Sequence, residues 1–329
     1  MHVLVTGSAG HLGEALVRRL RETAHTPVGI DLKPSAFTDH VGSVTNAEFV
    51  RALLAEMDAV IHTATLHKPH VGTYTRQAFV DTNISGTLNL LEAASSAGPI
   101  PFVYTSTTST FGDAMRPAPG EPAVWVTEQL KPKPKNIYGV TKSAAEDLCE
   151  LFHRKAGLAC VVLKTSRFFP EADDDEARRA AFSDDNIKVN ELLFRRADID
   201  DVATAHLLAL EKVEQIGFDR FIISATTPFE RDDAAALGQD AAAVLARRVP
   251  EYEREYRRRG WCMFPTLGRV YDNARAREVL GWKPAHDFAA VLSRLREDCD
   301  YRSALARSIG AKGYHAEVFA EGPYPVAGF

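Results

Sequence analysis

The sequence predicts an α/β fold, a doubly wound parallel sheet with a smaller C-terminal lobe, from two observations. Short apolar runs rich in β-branched residues alternate with longer amphipathic segments through the first half, and after Arg167 that alternation loosens. The first pattern is what a parallel sheet covered by helices on both faces requires, because strands buried on two sides read as unbroken apolar runs. Strands are expected over 3–6, 28–31, 59–63, 101–106 and 159–165. Between them, Leu12, Ala15, Leu16, Val17 and Leu20 fall at helical spacing over 12–21, and Ile84, Leu88, Leu91 and Ala94 do so over 84–94. Beyond Arg167 come an acidic run, Asp173-Asp174-Asp175-Glu176, a helix over about 200–213, one more strand at 221–225, and further helical segments. The tail from Gly313 has glycines and prolines but no periodicity, and reads as an irregular strap or a loose end.

Composition narrows the class of partner. With 329 residues, 45% of them apolar and 25% charged, the chain can bury a full core. A formal charge of −5 gives no broad cationic field, so neither nucleic acid nor an anionic membrane is the expected partner. The four cysteines are scattered without metal-ligand spacing, no metal site is expected, and the chain starts on a strand without a leader pattern. Free thiols and a cytoplasmic location are the expectation.

Three groups of residues carry chemistry. Gly7, Gly10 and Gly13 lie between the first strand and the first helix, where glycines let the chain turn tightly and bring backbone N–H groups to a pyrophosphate at a helix N-terminus. Asp31 ends the second strand 18 residues after Gly13, where a carboxylate can accept from both ribose hydroxyls and repel a 2′-phosphate. NAD is therefore favoured over NADP, although Lys33 could help to hold the extra phosphate. Tyr138 and Lys142 are four residues apart and share one helical face. The ammonium beside the phenol, with the positive nicotinamide ring nearby, should lower the phenol's pKa from about 10 toward the working pH, so that Tyr138 can act as a general base. Tyr104-Thr105-Ser106-Thr107-Thr108-Ser109-Thr110 begins as a strand and ends as a hydroxyl-rich loop, at the strand end where open sheets bind ligands.

These residues in this order resemble the extended short-chain dehydrogenase/reductase family, in its NAD-dependent epimerase/dehydratase branch. The resemblance spans roughly 1–283. It also rests on His62-Thr63-Ala64-Thr65, Asn83-Ile84-Ser85-Gly86-Thr87-Leu88-Asn89-Leu90-Leu91, Phe111-Gly112, Asp200-Asp201-Val202-Ala203 and Ala276-Arg277-Glu278-Val279-Leu280-Gly281-Trp282-Lys283-Pro284. It implies a Rossmann-like dinucleotide-binding domain over 1–167, with about 198–226 returning to it, and 168–329 forming mainly a substrate lobe and tail. It further implies Thr107, Tyr138 and Lys142 as the catalytic trio, and Asn83 as a support of the site. Along the strand ends NAD would meet the glycine turn with His11 and Leu12, then Asp31, Ser43, Val44, Thr63, Ala64, Thr65, Thr105 and Ser106, besides Tyr138 and Lys142. A homodimer through helices at 83–97 and 138–156 is the implied assembly.

Departures from the family pattern bear on the reaction. The related 4,6-dehydratases carry Asp and Glu where this chain has Thr108 and Ser109, and sugar-acid decarboxylases use a Glu at the latter position. A hydroxyl cannot serve as acid or base near neutral pH, so elimination and decarboxylation lose support. Arg167 stands where an Asn is usual, and could grip a phosphate or carboxylate directly. Ser43 replaces the usual adenine-side Asp. Arg269 falls where relatives use an arginine on a substrate diphosphate. His67, Thr107 and Thr108 are further candidates to touch substrate, and the acidic run at 173–176 could receive a cationic one such as an amino sugar. The expected function is an NAD-dependent epimerase-type enzyme that oxidises and re-reduces a hydroxyl of a sugar or nucleotide sugar. A net NAD(P)-dependent dehydrogenase or ketone reductase on a sugar-like or small carbonyl substrate is the alternative, followed by a non-catalytic dinucleotide sensor.

Overall fold

The computed structural model describes residues 1–96, 98, 100–315, 319 and 322–325. Nine strands follow one another along them: β1 (His2–Thr6), β2 (Thr26–Asp31), β3 (His40–Val41), β4 (Ala59–His62), β5 (Phe102–Thr107), β6 (Val124–Val126), β7 (Cys160–Thr165), β8 (Phe218–Ile223) and β9 (Arg269–Tyr271). Seven of them form one sheet in the order β3-β2-β1-β4-β5-β7-β8, with every neighbouring pair parallel. The two remaining strands, β6 and β9, pair parallel in a small sheet of their own.

Period-two alternation explains why the expected strands read as solid apolar runs. Val3, Val5, Ile61, Val103, Val161 and Leu163 face one layer, where Leu16 and Leu20 of the helix His11–Arg21 pack with Val202 and Ala209 of the helix Ile199–Ile216. Leu4, Val60, Phe102, Tyr104 and Val162 face the other, against Leu90 and Leu91 of the helix Gly86–Ser96 and Ala145 and Cys149 of the helix Ile137–Ala156. Both faces are thus dry, as a doubly wound sheet demands. A third apolar cluster, built on Ile187, Leu193, Val244, Leu245, Tyr256, Phe264, Phe288 and Leu292, lies apart from the sheet.

The structure corrects several boundaries. The strand expected at 221–225 runs over Phe218–Ile223, and the helix expected over 84–94 is preceded by a π-helical turn, Val80–Ser85, that carries Asn83. The helix expected to reach residue 97 is described to Ser96, and residue 97 lies outside the described residues, as do 316–318, 320–321 and 326–329 of the tail. Strand β3, the helix Ala47–Leu54 and the β6–β9 pair have no counterpart in the sequence expectation.

Chain order in the sheet reverses beside β1, whose neighbours are β2 and β4. Connections leave β1 and β4 toward opposite faces there, opening a crevice beyond the strand ends where open α/β sheets bind ligands.

Candidate active site

One cavity of about 900 Å³ occupies that crevice, and the residues expected to serve catalysis, cofactor and substrate line it, whereas Asn83 and, of the acidic run, Asp173, Asp175 and Glu176 do not. The glycine turn and its helix bring Gly7, Gly10, His11, Leu12 and Gly13; the ends of β2 and β4 bring Asp31 and Thr63, Ala64 and Thr65; the loop after β3 brings Ser43 and Val44. The end of β5 supplies Thr105, Ser106, Thr107 and Thr108, the helix Ile137–Ala156 supplies Tyr138 and Lys142, and His67, Arg167 and Arg269 complete the lining.

At the glycine turn the residues fit a bound diphosphate. Gly7 adopts φ +72, and a Cβ there would lie 2.9 Å from the Ala64 backbone; a Cβ on Gly13 would lie 2.0 Å from the Gly7 carbonyl oxygen. Gly10 caps the helix His11–Arg21 with no side-chain hydrogen bond, so the first-turn N–H groups face the cavity without a built-in acceptor. Asp31 accepts from the Ala9 N–H at 3.1 Å and the Lys33 N–H at 2.9 Å, which fixes its carboxylate at the turn and leaves lone pairs for a ribose.

Beneath the cavity a chain of buried hydrogen bonds joins the turn to the catalytic helix. Thr87 Oγ1 donates to the Asn83 carbonyl, so His62 Nε2 donates to Thr87 Oγ1 (3.0 Å) and His62 Nδ1 accepts from Thr6 Oγ1 (2.7 Å). Thr6 Oγ1 in turn accepts from the Thr63 and Ala64 N–H groups. Asn83 Nδ2 donates to Thr141 Oγ1 and to the Leu66 carbonyl, while its Oδ1 accepts from Thr65 Oγ1 and the Leu66 N–H. Burial, with a smaller push from the Lys142 charge, holds His62 well below the ordinary imidazole range. It is neutral and locked in one tautomer.

Burial raises the Tyr138 phenol, and the Thr107 side chain draws it down by less. Lys142 Nζ donates to the Thr105 carbonyl at 2.6 Å and sits 4.1 Å from the centre of the Tyr104 ring. Burial pushes the Tyr138 phenol up to about 12, so Lys142 by itself does not bring about the lowering expected of it together with the nicotinamide ring. Burial also lowers Lys142 to about 7, against the pull of Glu146 one turn further on. Desolvation outweighs the pairing that the four-residue spacing suggested.

Arg167 lines the cavity, but its guanidinium is engaged by the protein itself. It bonds Asp173, Asp174 (2.9 Å) and Glu191 (2.9 Å). Arg195 and Arg196 share Glu191, at 2.5 and 2.8 Å, and Lys68 pairs with Asp174. Burial alone would raise the Glu191 carboxyl, yet Arg195, Arg167 and Arg196 hold it well below the usual carboxylate range. Asp173 and Asp174, half of the acidic run expected to receive a cationic substrate, are already matched by arginines and a lysine of the protein. Arg269 differs, since its Nε is buried without a hydrogen-bond partner and it has no carboxylate partner among the described residues. His67 is half-buried, stacked on Phe169 and edge-on to His70 and Tyr314. Ser43 Oγ is engaged with Thr45, and the Ser106 hydroxyl is turned to Glu146.

Sequence reasoning missed part of the wall. Glu171, Lys312, Tyr314 and Tyr324 line the same cavity. The available signal was the group Lys312-Gly313-Tyr314-His315, rich in polar aromatic and cationic residues inside an otherwise aperiodic tail.

Fold and site together define a dinucleotide-binding α/β enzyme with a Tyr-x-x-x-Lys helix over the cofactor groove. The chain belongs to the NAD dependent epimerase/dehydratase family, whose model matches residues 3–223, and its cofactor is NAD. A UDP-glucose 4-epimerase of Rhizobium meliloti (strain 1021) is 28% identical over 88% of this chain and 94% of its own length. A dTDP-glucose 4,6-dehydratase of Streptomyces antibioticus is also 28% identical, over 89% and 91%. Among solved structures, a short-chain dehydrogenase/reductase superfamily protein of Agrobacterium tumefaciens with bound NAD superposes with a TM-score of 0.65 at 23% identity, covering 94% of this chain and 99% of that one. Among the described residues no helix is long and apolar enough to cross a membrane.

Proposed function

We propose that the protein is an epimerase-type enzyme that oxidises and then re-reduces one hydroxyl of a sugar or nucleotide sugar, with NAD regenerated in each cycle. NAD supplies the hydride acceptor of the first half and the hydride donor of the second. The protein's own part is proton transfer and orientation: Tyr138 Oη takes the hydroxyl proton and later returns it, Thr107 orients the reacting oxygen, and Lys142 holds the nicotinamide ribose. One observation carries the reading. The Tyr138–Thr107 pair and Lys142 line the cavity that also holds the glycine turn, while the adjacent positions are Thr108 and Ser109, neither able to drive elimination. The relatives named above support a nucleotide sugar, and Arg269, whose Nε has no hydrogen-bond partner, supports an anionic group on the substrate.

In this reading residues 1–167 and about 198–226 hold the cofactor and the rest of 168–329 shapes the substrate end. Helices at 83–97 and 138–156 pair two copies of the chain in the cytoplasm. The test is cofactor economy. Purified protein should carry NAD and interconvert UDP-glucose-type sugars without added cofactor; NAD consumed in step with substrate would show the net dehydrogenase instead.

A further inference from the structure

The C-terminal segment does more than close the fold. Glu171, just beyond β7, gathers four donors: the His11 ring at 2.9 Å, the Lys312 and Gly313 N–H groups at 3.1 Å each, and the Tyr314 hydroxyl at 3.0 Å. From that anchor Lys312 reaches the glycine turn, where Nζ donates to the Ala9 carbonyl at 2.9 Å and pairs with Glu14 at 2.5 Å. On the other side, His315 Nε2 donates to the Pro69 carbonyl, and the Tyr314 ring packs between His11, His67 and Tyr324. The segment therefore touches the helix of the glycine turn, the loop after β4 and the loop after β7, which are three walls of one cavity.

Glu14 makes this arrangement consequential. It lies in the first turn of the helix whose N-terminus receives the cofactor diphosphate, and it is buried. A bare carboxylate there opposes a diphosphate, since like charges in a poorly screened site repel strongly. Arg18, at 2.7 Å, and Lys312 cancel it. Arg18 comes from the same helix; Lys312 comes from almost three hundred residues away, and its own N–H is bonded to Glu171.

We propose that residues 312–314 are a cofactor latch: Lys312 neutralises Glu14 beside the diphosphate, and Tyr314 clamped on Glu171 closes the groove so that NAD stays bound between turnovers. The inference rests on the epimerase reading, in which the cofactor need not leave, but it concerns the residence of NAD and is measured without substrate. The experiment loads the full-length protein with NAD, removes the free cofactor, and follows release against a chase of excess NADH, for wild type, Lys312→Ala, Lys312→Arg and Tyr314→Phe. Melting of each variant without NAD reports whether the fold is intact. Release should be at least tenfold faster in Lys312→Ala and in Tyr314→Phe, and near wild type in Lys312→Arg. Folded Lys312→Ala and Tyr314→Phe proteins that hold NAD as long as wild type would overturn the latch. A stoichiometric consumption of NAD with these release differences intact would instead sink the epimerase reading and leave the latch standing.

Discussion

Replacing Glu146 by Gln separates what the buried charges do for stability from what they do for catalysis. Glu146 accepts from Lys164 Nζ with both oxygens at 2.6 Å and from the Ser106 hydroxyl, and both members of the pair are almost wholly buried. Removing one partner leaves Lys164 desolvated and unpaired, a loss of about 3 to 5 kcal/mol and a clear fall in Tm. The same change acts on Lys142. Glu146 follows it by one helical turn, about 6 Å away, and at an effective dielectric of about 20 a unit charge there is worth at most about 3 kcal/mol, or about two pH units. Burial has already brought Lys142 to about 7, and Glu146 raises it. With that charge gone the ammonium deprotonates at lower pH, so the basic limb of the kcat/KM profile should move down by one to two units. Adding Lys164→Met removes the cation that opposes Glu146, and should return the limb toward wild type while recovering stability. The assay is a pH profile beside thermal melting for the two single variants and the double. A basic limb that stays in place in folded Glu146→Gln would refute the electrostatic link between this pair and Lys142.

Other consequences of the site are equally direct. Tyr138→Phe should lower turnover by at least a hundredfold while NAD binding, read by thermal shift, stays close to wild type. Gly13→Ala, whose Cβ would collide with the Gly7 carbonyl, should abolish the NAD-induced rise in Tm. Asp31→Ser should weaken NAD by tenfold or more and narrow the gap to NADP in parallel titrations, because it removes a charged acceptor and a repulsive one together. Glu171 rises with burial but is drawn by His11 and its other donors to about 2, below its ordinary 4.5. Its folded-state pKa being depressed, its contribution of about 3 kcal/mol at most is complete above pH 4.5 and is lost as pH falls toward 2. Glu171→Gln should flatten the melting curve over that window.

Legibility in the sequence followed the range of the forces involved. The central strands and their covering helices announced themselves because a two-faced core imposes a pattern on consecutive residues. Ala47–Leu54 did not, since it buries only Val50 and Leu54. The β6–β9 pair joins three-residue segments more than a hundred positions apart, and no local pattern encodes such a pairing. That the glycine turn, Tyr138 and Lys142 line one cavity could be anticipated because the turn and the four-residue spacing are local devices. The protonation of Tyr138 could not: burial raises the phenol, and burial is a property of the finished fold. Arg167 shows the same limit, for its partners Asp173 and Asp174 are near in sequence but Glu191 is delivered by another helix, Asp184–Leu192.

Charge at the two ends of the cavity points to the chemistry of the ligands that fill it. Of the lining carboxylates, Asp174 is matched by Arg167 and Lys68, and Glu171 is bonded by the His11 ring, two backbone N–H groups and the Tyr314 hydroxyl. Asp31 has no ion-pair partner among the described residues and is held by backbone N–H groups, an arrangement that suits the neutral hydroxyls of a ribose. Arg269, on β9, is the converse, a cation with a buried unpartnered Nε. A neutral sugar would leave that cation without an anionic partner, whereas a phosphate or carboxylate supplies one. The pairing of β6 with β9, invisible locally, is thus what brings the expected anion site to the same cavity as Tyr138. Arg269→Ala should accordingly raise KM for UDP-sugars at least tenfold with little change in kcat, and an unchanged KM would remove the anion from the account of the substrate.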